Sequence, residues 1–114
     1  MLEGIGFGPL LSEGFSRENN LVYIVMKLHG PSLEDLLYFC GGQFSLKTTL
    51  MVFYQLLERV EWLHFNKLIH LDIKPNNIVI GRNSASNILH MIDFGLTRPY
   101  IENESGEHIK KRIL

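Results

Sequence analysis

His70-Leu71-Asp72-Ile73-Lys74-Pro75-Asn76-Asn77, followed after fifteen intervening residues by Asp93-Phe94-Gly95, is the stretch that decides the fold. The pattern is H-x-D-x-K-x-x-N, then D-F-G. Between its halves lie two apolar runs, Ile78-Val79-Ile80 and Ile88-Leu89-His90-Met91-Ile92, separated by turn formers at 81–87 (Gly-Arg-Asn-Ser-Ala-Ser-Asn). Such a loop between short apolar runs predicts a β-hairpin. If 77–80 pair antiparallel with 89–92, the start of one strand lies beside the end of the other. Asn77 and Asp93 then reach the same end of the hairpin, with Asp72 in the loop just before it. An amide oxygen and a carboxylate converging there are hard ligands of the kind magnesium accepts.

Working outward, Leu68-Ile69 form a short strand before the loop, and the chain from Thr97 onward is polar with no regular element expected. Upstream, Ser45 caps a long helix on which Leu46, Leu50, Phe53, Leu57 and Val60 follow helical spacing. Met51, Val52, Leu56, Trp62 and Leu63 widen its apolar face. A helix so apolar belongs inside a core, and 114 residues offer little to surround it. Gly30-Pro31 precede a second helix, Leu33–Phe39, with Ser32 as N-cap, Asp35 at the third helical position and Gly41-Gly42 as its end. Leu21–Met26 is a continuous apolar, β-branched run and predicts a buried strand. A short apolar piece near 9–11 suits an edge strand. The glycines of Gly4-Ile5-Gly6-Phe7-Gly8 have the wrong spacing for a phosphate cradle and are taken as the turn before these strands.

Composition points to one ordinary globular domain spanning 1–114. Apolar residues make up 46% and charged residues 20%, and the formal net charge is -1. No broad basic surface offers itself to nucleic acid or an anionic membrane. The apolar run at 21–28 is too short to span a bilayer, and Met1-Leu2-Glu3-Gly4 lacks the character of a secretory signal. Cys40 is the single cysteine, so no intramolecular disulfide or structural zinc site is expected. A reducing, intracellular setting, cytoplasm or nucleus, is the corresponding expectation. Lys110-Lys111-Arg112 are flanked by acids and are taken as solvated rather than as a nuclear address.

The combined motif resembles the catalytic core of protein kinases. Gly30-Pro31-Ser32-Leu33-Glu34-Asp35-Leu36, Phe44-Ser45-Leu46-Lys47-Thr48 and Ile92-Asp93-Phe94-Gly95-Leu96 are similar to the casein kinase I family of serine/threonine kinases. His108-Ile109 with Arg112 are similar more loosely. The resemblance covers nearly the whole chain. It implies an incomplete α+β protein kinase-like fold: hinge strands, helices and the catalytic-loop hairpin of the large lobe. It also implies ATP and magnesium as cofactors and protein serine or threonine hydroxyls as substrates. Asp72 would orient the hydroxyl and accept its proton, and Lys74 would meet the γ-phosphate. Asn77 and Asp93 would hold metal. Met26 would be the gatekeeper, with Lys27, Leu28 and His29 forming the hinge and Val79 and Ile92 lining the nucleotide pocket. His70 is expected to hold the loop rather than to move protons.

Departures from the family pattern open alternatives. Leu71 stands where an arginine is usual, and Asn76 and Lys110-Lys111 also differ. The glycine-rich loop, strand lysine and helix glutamate of a working kinase are not recognisable in 1–114. A kinase-like interaction module without catalysis is therefore a competing reading. A small-molecule phosphotransferase shares the H-x-D-x-x-x-x-N layout, but Lys74 and the full D-F-G favour a protein substrate.

Overall fold

The computed structural model describes residues 6–101 and 105–109. The elements run β1 (Leu10–Ser16), β2 (Leu21–Met26), α1 (Leu33–Phe39), α2 (Leu46–Phe65), β3 (Leu68–Ile69), β4 (Ile78–Ile80), β5 (Leu89–Met91) and β6 (Arg98–Pro99). The strands form three antiparallel pairs, β1–β2, β3–β6 and β4–β5. Two helices and three short strand pairs make the expected α+β arrangement.

Both helices begin as their caps predict. The Ser32 side chain accepts from Asp35 N, and Asp35 Oδ2 accepts from Ser32 N at 2.9 Å, a reciprocal capping box. Hydrogen bonds from the Ser32 backbone and then its side chain hold the Asp35 carboxyl below its usual range. Gly41 and Gly42, at φ 73° and 88°, turn the chain out of α1 in the left-handed region where a Cβ is costly. Ser45 caps α2 by accepting from Thr48 N at 3.1 Å.

The β4–β5 hairpin has the expected register: Ile78 opposite Met91, Val79 opposite His90, Ile80 opposite Leu89. Its inner face feeds both small cores. Met91 joins Phe7 and Leu63, with Trp62, Leu68 and Phe94 packed around them. Ile78 and Leu89 join Leu33, with Leu36, Val52, Leu56 and Ile80 around them. Both outer edges are also satisfied. On the β4 side, Gly30 N donates to Ile80 O (2.8 Å) and Ile80 N to Pro31 O (3.1 Å). On the β5 side, Met91 N donates to Gly6 O (2.9 Å) and Leu89 N to Gln55 Oε1 (2.9 Å). Arg59 donates to Leu89 O through Nε and Nη2, each at 3.3 Å. A buried strand edge left unpaired costs free energy, and these side chains stand in for a third strand.

Three expectations need correction. Leu21–Met26 is a strand, but every position in it is exposed. β1 alone flanks it among the described residues, with a register shift between Leu10 and Ser12, so its continuous apolar run is covered on neither face. The stripe on α2 that periodicity singled out is likewise outward: Leu46, Leu50, Phe53 and Leu57 are all more than half exposed. The packed side of α2 carries Leu63 and Arg59, with Val52 and Leu56 against the core. An apolar helix of this kind does not reveal its inner face by periodicity. Gln55 and Arg59, which bond to β5, decide it. Finally, Arg98–Pro99 pairs with Leu68–Ile69 where no element was expected, and Tyr100 N extends the contact to Lys67 O (3.2 Å). Such a two-residue, non-local pairing leaves no periodic trace.

The glycines at 6 and 8 belong to the packing of the fold. Gly6 has φ 91° and is buried directly against the Arg59 guanidinium, where any Cβ would collide. Phe7 is buried, with its ring 4.8 Å from Trp62. Gly4 and Ile5, the start of that segment, lie outside the described residues, as do Lys110, Lys111 and Arg112.

Candidate active site

Asp72, Lys74 and Asn77 come together in the loop between β3 and β4. Asn77 ends a 3-10 turn over Pro75–Asn77 and is buried. Its Nδ2 donates to Asp72 Oδ2 at 2.9 Å and to Asp72 O at 3.0 Å. Lys74 Nζ lies 3.3 Å from the same Asp72 Oδ2. One carboxylate oxygen of Asp72 therefore carries two donors, and no described residue bonds to Oδ1. With both amide protons of Asn77 engaged by acceptors, its orientation is decided, and Oδ1 is the atom left for a cation.

His70 builds the floor of this loop. It is buried, its Nδ1 accepts from Asp72 N at 3.2 Å, and its Nε2 lies 3.2 Å from Ile92 O. The tautomer protonated at Nε2 satisfies both partners. Ile92 N donates to Asn77 O at 2.9 Å. The backbone of Ile92 is thus gripped from one side by Asn77 and from the other by His70, immediately before Asp93.

Asp93 leaves that grip with φ 58°, and Leu71 has φ 67°. Left-handed conformations in two non-glycine residues flanking one site are costly and are held by the surrounding bonds. The Phe94 ring is the anchor that makes the turn possible, packing 5.2 Å from His70 and 5.8 Å from Phe7. The Asp93 side chain faces outward instead, with Oδ1 accepting from Gly95 N at 3.3 Å. Asn77 and Asp93 share one end of the hairpin through the Ile92 bond, but no described hydrogen bond joins their side chains.

Among the described residues no three His, Cys, Asp or Glu side chains cluster as a self-sufficient metal site. An amide oxygen and one exposed carboxylate suit a cation that takes its other ligands from phosphate and water, which is the habit of magnesium.

The remaining sequence candidates divide. Lys27, Leu28 and His29 lie together against the loop end of β4–β5 and line one cleft with Arg82 and His90. Val79 is buried, facing Ser32 across an isolated bridge. Neither Val79, Ile92 nor Met26 lines that cleft.

A sequence profile of the protein kinase domain matches residues 11–112. The chain belongs to the protein kinase family. The kinase match spans both hairpins and both helices, so the H-x-D-x-K-x-x-N and D-F-G residues stand in a kinase context rather than in an accidental one. Kinases in general use ATP and a divalent cation and act on protein substrates.

Sequence reasoning missed Gln55 and Arg59. They touch no part of the loop, yet they fix β5, whose next residues are Ile92 and Asp93. Their trace in the sequence is an i, i+4 polar pair interrupting the most apolar helix of this kinase chain.

Proposed function

We propose that this kinase chain carries the phosphoacceptor and metal side of a serine/threonine-specific site of casein kinase I type. The observation that supports it is the Asp72 carboxylate, tied at Oδ2 by Asn77 and Lys74 and bonded at Oδ1 by no described residue. Oδ1 accepts the proton of a serine or threonine hydroxyl as that oxygen becomes the nucleophile. Lys74 and the Asn77 amide keep the carboxylate aimed, so that little reorganisation is needed at the moment of reaction. Asn77 Oδ1 and the Asp93 carboxylate are the residues that would hold magnesium. When bound, ATP with its divalent cation supplies the phosphoryl group and the neutralisation of its charge. The backbone of Lys27, Leu28 and His29 is assigned to the adenine edge, with Met26, Val79 and Ile92 around it. That assignment rests on the family resemblance. An intracellular setting, cytoplasmic or nuclear, accompanies this reading.

The 114-residue chain by itself is expected to show little or no peptide phosphorylation. A chimera supplying a glycine-rich loop, strand lysine and helix glutamate from a casein kinase I family member is expected to phosphorylate serine peptides. In that chimera Asp72→Ala should lower kcat by roughly a hundredfold or more, the range of a general base. Equal activity of chimera and Asp72→Ala variant would overturn the role of Asp72. Robust activity of the unextended chain, abolished by Asp72→Ala, would overturn the need for added parts.

A second reading is favoured by Leu71, which is 57% exposed and lacks the guanidinium usual beside the catalytic aspartate, and by the open apolar face of α2. Under it the chain is a kinase-like interaction module. A biological effect that persists in an Asp72→Ala, Asp93→Ala double variant supports this reading, and loss of that effect counts against it.

A further inference from the structure

The β4–β5 hairpin is chemically polarised. Its catalytic end carries Asp72 and Asp93, while the loop end faces residues 27–29 across a cleft of about 450 Å³. The polar walls of this cleft are Lys27, His29, Arg82, Asn83, Ser84 and His90, and no carboxylate is among the described residues that line it. In a chain of net charge -1, such a local excess of cationic groups is not a consequence of composition.

The two imidazoles are stacked at 4.6 Å between centroids and tilted by 46°, and Gly8 leaves the room His29 needs. His90 Nδ1 is buried with no hydrogen-bond partner among the described residues. Buried polar atoms without partners are uncommon in native folds and call for an explanation. Burial first, and then Lys27, push the His29 pKa down. Burial, then His29, Arg59 and Lys27 push the His90 pKa down. A water in the cleft would leave the clustered positive charge unbalanced. A divalent metal on the two imidazoles would add to that charge. An anion in the cleft balances that charge.

We propose that this cleft binds a phosphate-class oxyanion, either free phosphate or the phosphoserine side chain of a peptide, with Lys27 and Arg82 supplying charge and Asn83 and Ser84 further polar contacts. Charge-assisted bonds of this kind are the strong ones, and arginine suits the forked geometry of phosphate oxygens. The site shares Lys27, Leu28 and His29 with the nucleotide reading above, which uses their backbone, but Met26, Val79 and Ile92 do not line it.

The test is an amide-resolved NMR titration of the full chain with sodium sulfate, inorganic phosphate, a short phosphoserine peptide and its unphosphorylated form. Saturable shifts confined to residues 27–29, 81–85 and His90 are expected with all three anions and not with the unphosphorylated peptide. Arg82→Gln and Lys27→Gln, both conservative changes, should each weaken binding roughly tenfold, the loss of one charge-assisted contact. Sulfate keeps its charge over the working pH range, so its affinity should rise on acidification as a bound anion favours the charged imidazoles facing Lys27, Arg59 and Arg82. Tighter binding of the phosphoserine peptide than of free phosphate assigns the site to a phosphorylated segment; equal binding assigns it to the free anion. Shifts that do not saturate, that survive both substitutions, or that Mg-ATP displaces in parallel would overturn the proposal.

Discussion

Leu21–Met26 and Ile78–Ile80 are both unbroken apolar, β-branched runs, yet every position of β2 is exposed whereas Ile78 and Val79 are buried. The difference lies in their neighbours. The hairpin of β4 has helices against its inner face, residues 30–31 on one edge, and Gly6, Gln55 and Arg59 on the other. β2 has only β1. An apolar run is a demand for cover, and local sequence cannot say whether that demand is met. In this chain the hairpin that holds the candidate chemistry is the one fastened on both edges and its inner face, while the β1–β2 hairpin is left open.

The comparison can be broken experimentally. Leu63→Ala, at the centre of the core that supports Met91, should cost about 2–5 kcal/mol in urea unfolding, the usual range for an enclosed leucine. A cost as small as that of a surface change would mean that the hairpin does not depend on this core. Arg59→Ala should cost about 1–3 kcal/mol, since the Leu89 carbonyl then loses its donors while still enclosed. In the same variant, hydrogen exchange at Leu89, Met91 and Ile92 should accelerate while the β2 amides stay as fast as before. Uniform acceleration across both hairpins would show that they unfold as one unit.

Acidification sharpens the contrast by acting on His29, which follows β2, and on His90 in β5. His29 and His90 have pKa values held below the ordinary one. Above about pH 6.5 both folded and unfolded chains carry them neutral, and stability is unaffected. As pH falls below that value the unfolded chain takes up protons that the folded chain resists, so stability drops. The Asp35 pKa is lowered as well, but for an acid this favours the folded chain: its contribution is present above the ordinary carboxylate range and is lost only as pH falls through that range toward its folded pKa. Melting temperature should decline from about pH 7 toward about pH 5, and His90→Gln should flatten that slope; a slope unchanged in the variant would clear His90 of the effect. The smallest effect belongs to β2. Val22→Thr, at a position 78% exposed, should move stability by less than about 0.5 kcal/mol. A larger loss would reveal cover over β2.

Much of the local architecture was legible before any coordinates. Ser32 with Asp35, and Ser45, announced both helix starts, because a capping side chain bonds within three residues of itself. The turn formers at 81–87 between apolar runs announced the hairpin and its register, and with it the common end for Asn77 and Asp93. The identity of Asp72, Lys74, Asn77 and Asp93 as candidates came from residue type and order alone. What the sequence left open was of longer range. Nothing local told which side of α2 faces inward, that Arg59 reaches Leu89 thirty residues away, or that His70 and Asn77 grip Ile92 from two sides. Nor did it reveal that His29 and His90 meet. Short-range hydrogen bonds and periodicity are written into neighbouring residues; burial, edge pairing and clustered charge arise only when distant segments compete for the same space, and that competition is decided by the folded chain as a whole.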